Sequence, residues 1–521
     1  MTRSRTVRKA GALAAFAACA LALPLTLTAA PAGAAASQPE PPSEVLRSRN
    51  VPLDIATYRW LCRSDSFGTP QKHTFRLFHD VKVHAVADRV ERDDAQSTVT
   101  WLGHVAHQPA QQVVVSTQGM CAEDADPAAV GLDAQFDLGE RVYRISLLRN
   151  EPGRVLITEE DPDLREKPTG DDADPDFNSG SLDEIREARE KLMKRADSAE
   201  PVVIDMVVGY TPSAEWHMGG KQGILSRIQF AESAINRAFA DSGVRASVDI
   251  VATYRAPYYG DETASTVHKR LSNPYDAQLG ADAARLREQY AADLVGMIVK
   301  VPSGTSTGQG SLPMPPSEKS DSEAYNVTDV RSIVDWYNFG HEVGHNLGLW
   351  HDRTTLDEQT GGQDYRPWLT TPYSTGYVTL NRQHHTLMAY SSACGQPCSA
   401  VNQYSSPLNT WNGQALGDAH NDNAEVARKT TPIIAEYRTP AQPRTRYALT
   451  LTPSPSDGGS ARPDTWGPYR PNTTVSVTAT PAQGYRLIAW ELNGQRHNIT
   501  ATQVSVTMDQ PYTLKPIFTR G

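Results

Sequence analysis

Three histidines and a glutamate between residues 341 and 351 carry the clearest chemical signal in the sequence. They lie in the run His-Glu-Val-Gly-His-Asn-Leu-Gly-Leu-Trp-His, which begins at His341 and ends at His351. Residues four apart share one face of a helix, so His341 and His345 can direct both imidazoles at one ion, with Glu342 beside them. A zinc ion with three protein ligands keeps its fourth position for water. The pattern therefore predicts a catalytic zinc site in which Glu342 is the general base.

Gly348 explains how His351 reaches the same ion. A glycine tolerates the left-handed backbone that ends a helix, so the chain can turn and bring His351 back as the third ligand. Apolar residues just before the motif predict a buried helix that leads into the ligands: Ile333, Val334, Trp336, Tyr337 and Phe339. The alternative, a solvated helix that carries two histidines, leaves the third histidine and the glycine unexplained.

The complete pattern resembles the signature of the metzincin metallopeptidases, H-E-x-x-H-x-x-G-x-x-H followed by a methionine turn. Met388, within Thr-Leu-Met-Ala-Tyr, is the only methionine between the motif and residue 440. The resemblance implies that Met388 forms an apolar floor under the histidines, and that Tyr390 supplies a hydroxyl to the oxyanion or to zinc as a fifth ligand. Met388 as an ordinary core residue is the alternative. The neighbouring His384 and His385 are interpreted as an exposed pair outside the ligand set.

Asp352 and the segments around the motif narrow the resemblance to the bacterial secreted reprolysin-like endopeptidases, relatives of the adamalysins. That subfamily carries an aspartate directly after the third histidine, and we expect Asp352 to hold the backbone under the ligands. Residues 203–212 and 291–299 resemble its first and central strands, and apolar residues at helical spacing over 224–239 predict an amphipathic helix on the sheet. The resemblance implies a catalytic domain at residues 200–439 with a metzincin α/β fold, a mixed twisted sheet and an active-site helix.

The resemblance implies hydrolysis of peptide bonds at this site. Zinc polarises the scissile carbonyl and lowers the pKa of its bound water to about 7, while Glu342 accepts a proton and passes it to the leaving amine. One catalytic Zn²⁺ is the expected cofactor, and scattered acidic residues leave structural Ca²⁺ undecided. Two alternatives stay open: a zinc hydrolase for another class of substrate, and an adhesion protein with weak proteolytic activity.

Residues 1–36 predict a secretory signal peptide. Basic residues at positions 3, 5, 8 and 9 precede a run of small and apolar residues, and Ala-Gly-Ala at 32–34 offers a cleavage site. A transmembrane anchor is the weaker alternative. The mature protein is therefore expected to be extracellular and soluble, without a membrane anchor. We also expect a monomer.

The charge balance limits the partners. The formal net charge is −10, and the pI is near 5.8. An acidic protein is a poor partner for nucleic acid and for anionic lipid, both of which attract a basic face. Proteins or peptides remain the expected substrates.

Four cysteines remain beyond the signal peptide: Cys62, Cys121, Cys394 and Cys398. An even number in an exported chain predicts two disulfides, and three pairings are possible. The local pairing, Cys62 with Cys121 and Cys394 with Cys398, is favoured. A free Cys121 thiolate that caps the zinc of a latent enzyme is the alternative. Residues 308–311, Gly-Gln-Gly-Ser, take the place where relatives often have a cysteine, so no disulfide is expected at this edge strand.

The regions on both sides of the catalytic domain predict β-rich modules in an α+β multidomain chain. Apolar and polar residues alternate in short runs over residues 37–160 and again over residues 445–521. The first region resembles the propeptide of this family, which implies inhibition until it is removed, and a retained N-terminal module is the alternative. The second resembles a divergent internalin B-repeat, an all-β module for spacing or adhesion, whose ligand cannot be read from the residues.

Residues 161–199 predict an acidic, proline-rich linker that includes a short helix from Ser181 to Arg195. The helix closes with Lys194 and Arg195, where an activating protease could cut the zymogen. An ordinary interdomain linker is the alternative.

Overall fold

The predicted catalytic region lies between two β-rich regions in a mixed α/β protein. A computed structural model describes residues 45–63, 67–94, 97–139, 141–148, 150–161, 181–198, 200–440 and 443–521. The predicted signal peptide and most of the predicted acidic linker lie outside these residues. Within the described residues, no helix is both long enough and apolar enough to cross a membrane.

The N-terminal region is an antiparallel sheet in the order β1–β9–β8–β7–β6–β5–β4, with β3 also paired to β4. The side chains on one face of this sheet form an apolar, buried core that includes Trp101, Val113 and Phe136. Cys62, in a short 3-10 helix after α1, is joined to Cys121. The elements are β1 Val45–Pro52, α1 Ile55–Tyr58, β2 Phe67–Gly68, β3 Lys72–Arg76, β4 Lys82–Asp93, β5 Thr98–Val105, β6 Gln108–Gln118, β7 Gly131–Asp137, β8 Val142–Leu147 and β9 Arg154–Glu160.

A helix, α2 Leu182–Lys194, leads into the central region. The elements of that region are β10 Val202–Tyr210, α3 Pro212–His217, α4 Lys221–Asp241, β11 Ala246–Arg255, α5 Ala264–Leu271, α6 Gly280–Gln289, β12 Leu294–Val299, β13 Gly308–Gly310, β14 Tyr325–Asp329, α7 Ser332–Asp335, α8 Asn338–Asn346, α9 Arg353–Gln359, β15 His384–His385, β16 Ser399–Ala400, β17 Ser406–Trp411, β18 Gln414–Leu416 and α10 Asn423–Ile434.

The central sheet runs β11–β10–β12–β14–β13, parallel except for the antiparallel edge strand β13. The middle strand β12, Leu-Val-Gly-Met-Ile-Val, is buried along its whole length, as expected of a parallel strand covered on both faces. The predicted amphipathic helix is α4. It is buried on nearly every side because it packs on β11 and α8 and is also covered by strands of the N-terminal sheet.

The predicted continuous helix before the ligands is in fact broken. Tyr337 adopts a left-handed conformation (φ 54°), which separates α7 from α8. Ile333 and Phe339 are buried on the two sides of the break, whereas Trp336 and Tyr337 are half-buried. The spacing of apolar residues indicates which of them are buried. It does not reveal a single residue in the left-handed conformation, which a tyrosine rarely adopts.

The C-terminal region is all β, as predicted. Its elements are β19 Leu449–Leu451, β20 Gly459–Pro463, β21 Thr473–Pro481, β22 Tyr485–Leu492, β23 Gln495–His497, β24 Gln503–Met508 and β25 Tyr512–Arg520. One sheet runs β19–β25–β22–β23, and a core around Trp490 separates it from β20, β21 and β24. Those last strands continue the N-terminal sheet, so the order there is β5–β4–β21–β24–β2. The described residues, from 45 onward, accordingly form one compact unit.

Candidate metal centre

Helix α8 and the turn after it carry the three predicted ligands. His341 and His345 lie four residues apart on α8, and His351 follows the turn at Gly348. Gly348 has φ +79°, and a Cβ there would lie 2.6 Å from Cδ of Pro316. Glycine is therefore required at this turn for two reasons: the backbone is left-handed, and a side chain would collide with Pro316.

The three imidazoles converge on one point. The Nε2 atom of His341 lies 3.1 Å from that of His345 and 3.2 Å from that of His351. Three nitrogens at about 2.0–2.1 Å from a tetrahedral zinc would be separated by about 3.3–3.4 Å. Within the described part of the chain, these histidines are the one group of three or more potential ligands that converges in this way. The donor set and its spacing fit a zinc ion.

The outer nitrogen of each imidazole is fixed by an acceptor. Nδ1 of His341 is 2.7 Å from the carbonyl oxygen of Leu387, and Nδ1 of His345 is 3.0 Å from that of Leu349. Nδ1 of His351 is 3.0 Å from Oε1 of Gln359. Each Nδ1 must donate its proton to such an oxygen, which leaves the lone pair of Nε2 directed at the shared point. Gln359 was not predicted as part of the site, and nothing in the sequence pairs it with His351.

Burial keeps these imidazoles neutral. It lowers the pKa of His341 to about 4 and the pKa of His351 to about 3. The pKa of His345 also falls well below its ordinary value, first through burial and then through the two neighbouring imidazoles. A neutral imidazole is the form that binds metal, so the histidines are available as ligands at neutral pH.

Glu342 lies between α8 and the edge strand β13. Its side chain is buried, and a Cβ built on Gly308 would lie only 1.9 Å from its Oε1 atom. A Cβ on Gly310 would lie 2.8 Å from Cβ of His345. The two glycines thus allow the edge strand to approach the helix closely. This role of the two glycines was not predicted from the sequence. Residues 308–311 were considered only as the place where relatives often have a cysteine.

Met388 packs against the same helix from another side. A Cβ on Gly344 would lie 2.5 Å from its Sδ atom, and Met388 is fully buried. The hydroxyl of Tyr404 donates to the carbonyl oxygen of Gly340 over 2.9 Å and so ties the chain after Met388 to α8. The methionine therefore lies in an apolar contact beneath the helix that carries His341 and His345.

Asp352 connects the segment after the third histidine to the segment after Met388. Its carboxylate caps α9 by accepting from the backbone and the hydroxyl of Thr355, at 3.0 and 2.6 Å. It also accepts from the backbone N–H of Tyr390 over 3.1 Å. The ring of Tyr390 lies beside His351, with 4.6 Å between the ring centroids. Asp352 thus holds the start of the next helix and the backbone near the histidines.

Asp352→Ala is expected to weaken zinc binding by about 10-fold to 100-fold, because partners behind the ligands set their orientation. The buried N–H group of Thr355 would also lose its acceptor, at a cost of about 1–3 kcal/mol, and so would the half-buried N–H group of Tyr390. Competition with a chromophoric chelator measures the affinity. Asp357→Ala, an exposed aspartate on the same helix, is the control, and equal zinc affinity in both variants would contradict the assigned role.

A disulfide between two nearby cysteines crosslinks the segment that follows Met388. Cys394 is joined to Cys398, as expected, and Nη1 of Arg382 lies 3.4 Å from the carbonyl oxygen of Cys394. His385 is buried and His384 half-buried in β15, so the interpretation of this pair as exposed was wrong. Strand β15 pairs with β16, and pairing of this kind cannot be read from two adjacent histidines. The pairing of Cys62 with Cys121 likewise excludes a free Cys121 thiolate on the metal.

Three converging imidazoles with an adjacent buried glutamate, at the edge strand of an α/β sheet, define a zinc-hydrolase type of centre. Comparison with protein families agrees with this class. Residues 202–405 match Metallo-peptidase family M12, and residues 449–521 match the divergent InlB B-repeat domain. The chain therefore contains a metallopeptidase domain of family M12 followed by a divergent InlB B-repeat domain, which confirms both resemblances drawn from the sequence.

Curated relatives carry the name peptidyl-Asp metalloendopeptidase. The protein from Pseudomonas aeruginosa is 30% identical over 219 residues, which cover 38% of this chain and 34% of the relative. Those from Xanthomonas campestris and Stenotrophomonas maltophilia are 28% and 25% identical over 252 residues, which cover 47% of this chain and 54% and 55% of the relatives. The chain thus spans between a third and just over half of the length of these relatives. A solved structure titled "Structure of a chaperone-substrate complex" has a TM-score of 0.35 and 18% identity over 47% of this chain and 36% of that one.

Proposed function

We propose that this protein is a secreted, zinc-dependent endopeptidase of the metzincin type. The observation that carries the proposal is the convergence of three Nε2 atoms within 3.1–3.2 Å of each other beside a buried glutamate. The family M12 match and the metalloendopeptidase names of the relatives favour peptide bonds over other substrates. His341, His345 and His351 would hold the metal.

The mechanism divides the chemistry between the metal and the chain. When bound, zinc would supply Lewis-acid polarisation of the scissile carbonyl and acidify the attacking water. The carboxylate of Glu342 accepts a proton from that water and delivers it to the nitrogen of the leaving amine. Tyr390, whose ring lies beside that of His351, would donate its hydroxyl to the developing oxyanion. Asp352 and Met388 keep the histidines in place from behind.

The substrate class that we propose is peptides that contain aspartate, because the relatives are named for that residue. Cleavage sites in a mixed peptide library, mapped by mass spectrometry with and without 1,10-phenanthroline, test class, metal and preference together. We expect cuts at bonds next to aspartate that disappear with the chelator. Cuts that persist in its presence would contradict a zinc peptidase, whereas chelator-sensitive cuts at other residues would contradict only the aspartate preference.

We also propose that the protein is exported and made as a zymogen. Basic and apolar residues at the N-terminus and two disulfides fit an oxidising compartment. Cleavage after Arg195 would break the covalent connection between the N-terminal region and the peptidase. The Arg195 side chain is exposed, but its carbonyl oxygen accepts from Nζ of Lys429 over 2.7 Å. Since α2 also inserts Leu192 into the core, local opening must come before the cut.

Lys429→Ala is therefore expected to speed cleavage after Arg195. Loss of one hydrogen bond from a charged donor lowers the cost of local opening enough to raise the cleavage rate about 10-fold. Limited trypsin digestion with mass spectrometry at residue 195 measures that rate. Lys319→Ala, an exposed lysine elsewhere, is the control, and an unchanged rate for Lys429→Ala would contradict the proposed protection.

A further inference from the structure

The N-terminal sheet holds the C-terminal region on two sides. Strand β4 pairs antiparallel with β21, with Val90 opposite Thr474, and β2 pairs antiparallel with β24, with Phe67 opposite Val506. The C-terminal strands β21 and β24 thus lie between two N-terminal strands in the order β4–β21–β24–β2. Paired edges of this kind satisfy backbone groups that each region alone would leave open.

Side chains reinforce this junction. The hydroxyl of Ser476 donates to the carbonyl oxygen of Ala87 over 3.3 Å. The amide of Gln503 donates to Oδ1 of Asp88 over 3.2 Å. The ring of Phe67 lies 4.6 Å from that of His497. The two regions are therefore joined by side chains as well as by backbone pairing.

Arginines of the C-terminal segment also pair with buried acids of the central region. Arg446 contacts both Asp205 and Asp249, and Arg470 contacts Asp249. Nη2 of Arg470 lies 2.6 Å from Oε1 of Glu232. These three carboxylates are 5%, 6% and 3% exposed. Clustered acids at such depth need cationic partners, and in this chain the C-terminal arginines supply them.

Arg470 also reaches the N-terminal region, 3.9 Å from Asp93. One side chain therefore contacts all three regions. It lies where the N-terminal sheet, the central region and the C-terminal module meet.

The N-terminal sheet is bound directly to α4 as well. Arg227 of α4 lies 3.2 Å from Asp133, and both side chains are buried. The amide of Gln229 donates to Oε2 of Glu91 over 3.1 Å. Leu102 and Val114 belong to the hydrophobic core of the central region. None of these contacts involves the linker between residues 162 and 180.

We propose that the binding partner of the C-terminal repeat-like module is the N-terminal sheet of this same chain, and that the sheet stays bound as a separate subunit after the linker is cut. This differs from the release of the N-terminal region that its resemblance to a propeptide implied. Cutting the linker would free the chain ends while the sheet pairing, the core contacts and the arginine pairs persist. Binding of the N-terminal sheet after the cut does not depend on the proposed peptidase function.

Size-exclusion chromatography of linker-cut protein tests the proposal. Residues 171–176 of the full chain are replaced with the recognition sequence of a specific protease, the protein is cut, and each fraction is examined by denaturing gel electrophoresis. We expect both fragments in one peak at micromolar concentration. An N-terminal fragment that elutes on its own would overturn the proposal, whether or not the protein cleaves peptides.

Arg470→Ala in the same background tests the role of the C-terminal module. Removing one partner of a buried ion pair is expected to raise the dissociation constant of the N-terminal fragment on the order of 100-fold. Arg486→Ala, an exposed arginine on the same module, is the matched control. Circular dichroism checks that both variants fold, and if Arg470→Ala does not fold, the unsubstituted linker-cut protein still decides whether the sheet is retained. If both variants fold and bind the N-terminal fragment with the same dissociation constant, the proposed contribution of Arg470 and the C-terminal module to binding is wrong.

Discussion

Replacing Glu342 with glutamine should leave zinc binding intact and lower the rate of peptide cleavage by about 100-fold to 10,000-fold, the usual cost of removing a general base. The substitution keeps the size of the side chain in its buried position between α8 and β13. The three imidazoles keep their carbonyl and amide acceptors and hence their orientation. What is lost is the group that takes a proton from water.

The measurement combines zinc content with the cleavage rate of the peptide identified in the library. Glu358→Gln, the same substitution at an exposed position on α9, should match the unsubstituted protein in both. A zinc-loaded Glu342→Gln protein that cleaves at the unsubstituted rate would remove Glu342 from the mechanism. Loss of zinc along with activity would instead assign it a role in building the site.

Gly308→Ala should have the second largest effect, on the order of 100-fold in cleavage rate, because a displacement of about 1 Å at a reacting group costs that much. The added Cβ would overlap Oε1 of Glu342 and would also lie 2.8 Å from Nδ2 of Asn338. The carboxylate is the flexible member of this contact and must move. Activity should therefore fall while the folded structure and the zinc content are kept.

Gly68→Ala is the matched control, since a Cβ there meets nothing within 4 Å. The kinetic constants, the zinc content and the thermal unfolding temperature of both variants separate a displaced base from a damaged fold. A folded, zinc-loaded Gly308→Ala protein with full activity would show that the edge strand does not set the position of Glu342.

The features that could be predicted from the sequence are those that local geometry encodes. The i, i+4 spacing of His341 and His345 and the glycine at 348 place three imidazoles together without knowledge of the rest of the fold. The continuous apolar run in β12 and the helical spacing in α4 likewise indicate burial within one element. Near neighbours among the cysteines favoured the two disulfides that the structure contains.

The features that could not be predicted depend on contacts between distant residues. Ser476 and Ala87 are separated by 389 positions, and the edge of a sheet carries no sequence mark of the strand that will pair with it. Arg446 and Arg470 read as ordinary charged residues until buried acids are found opposite them. No sequence pattern predicts that Gln359 contacts His351, because this contact depends on how α9 folds back towards the histidine. The alternation of apolar and polar residues predicted strands in the N-terminal and C-terminal regions. It did not predict that strands of the two regions form one sheet.

The most direct test of the central claim is a titration of metal-free protein with Zn²⁺ while peptide cleavage is followed. Three histidines that hold one catalytic ion predict that activity rises in proportion to added zinc and stops at about one equivalent per chain. His345→Ala should remain inactive at that point. Full activity in the metal-free protein, or restoration of His345→Ala by one equivalent of zinc, would contradict the account.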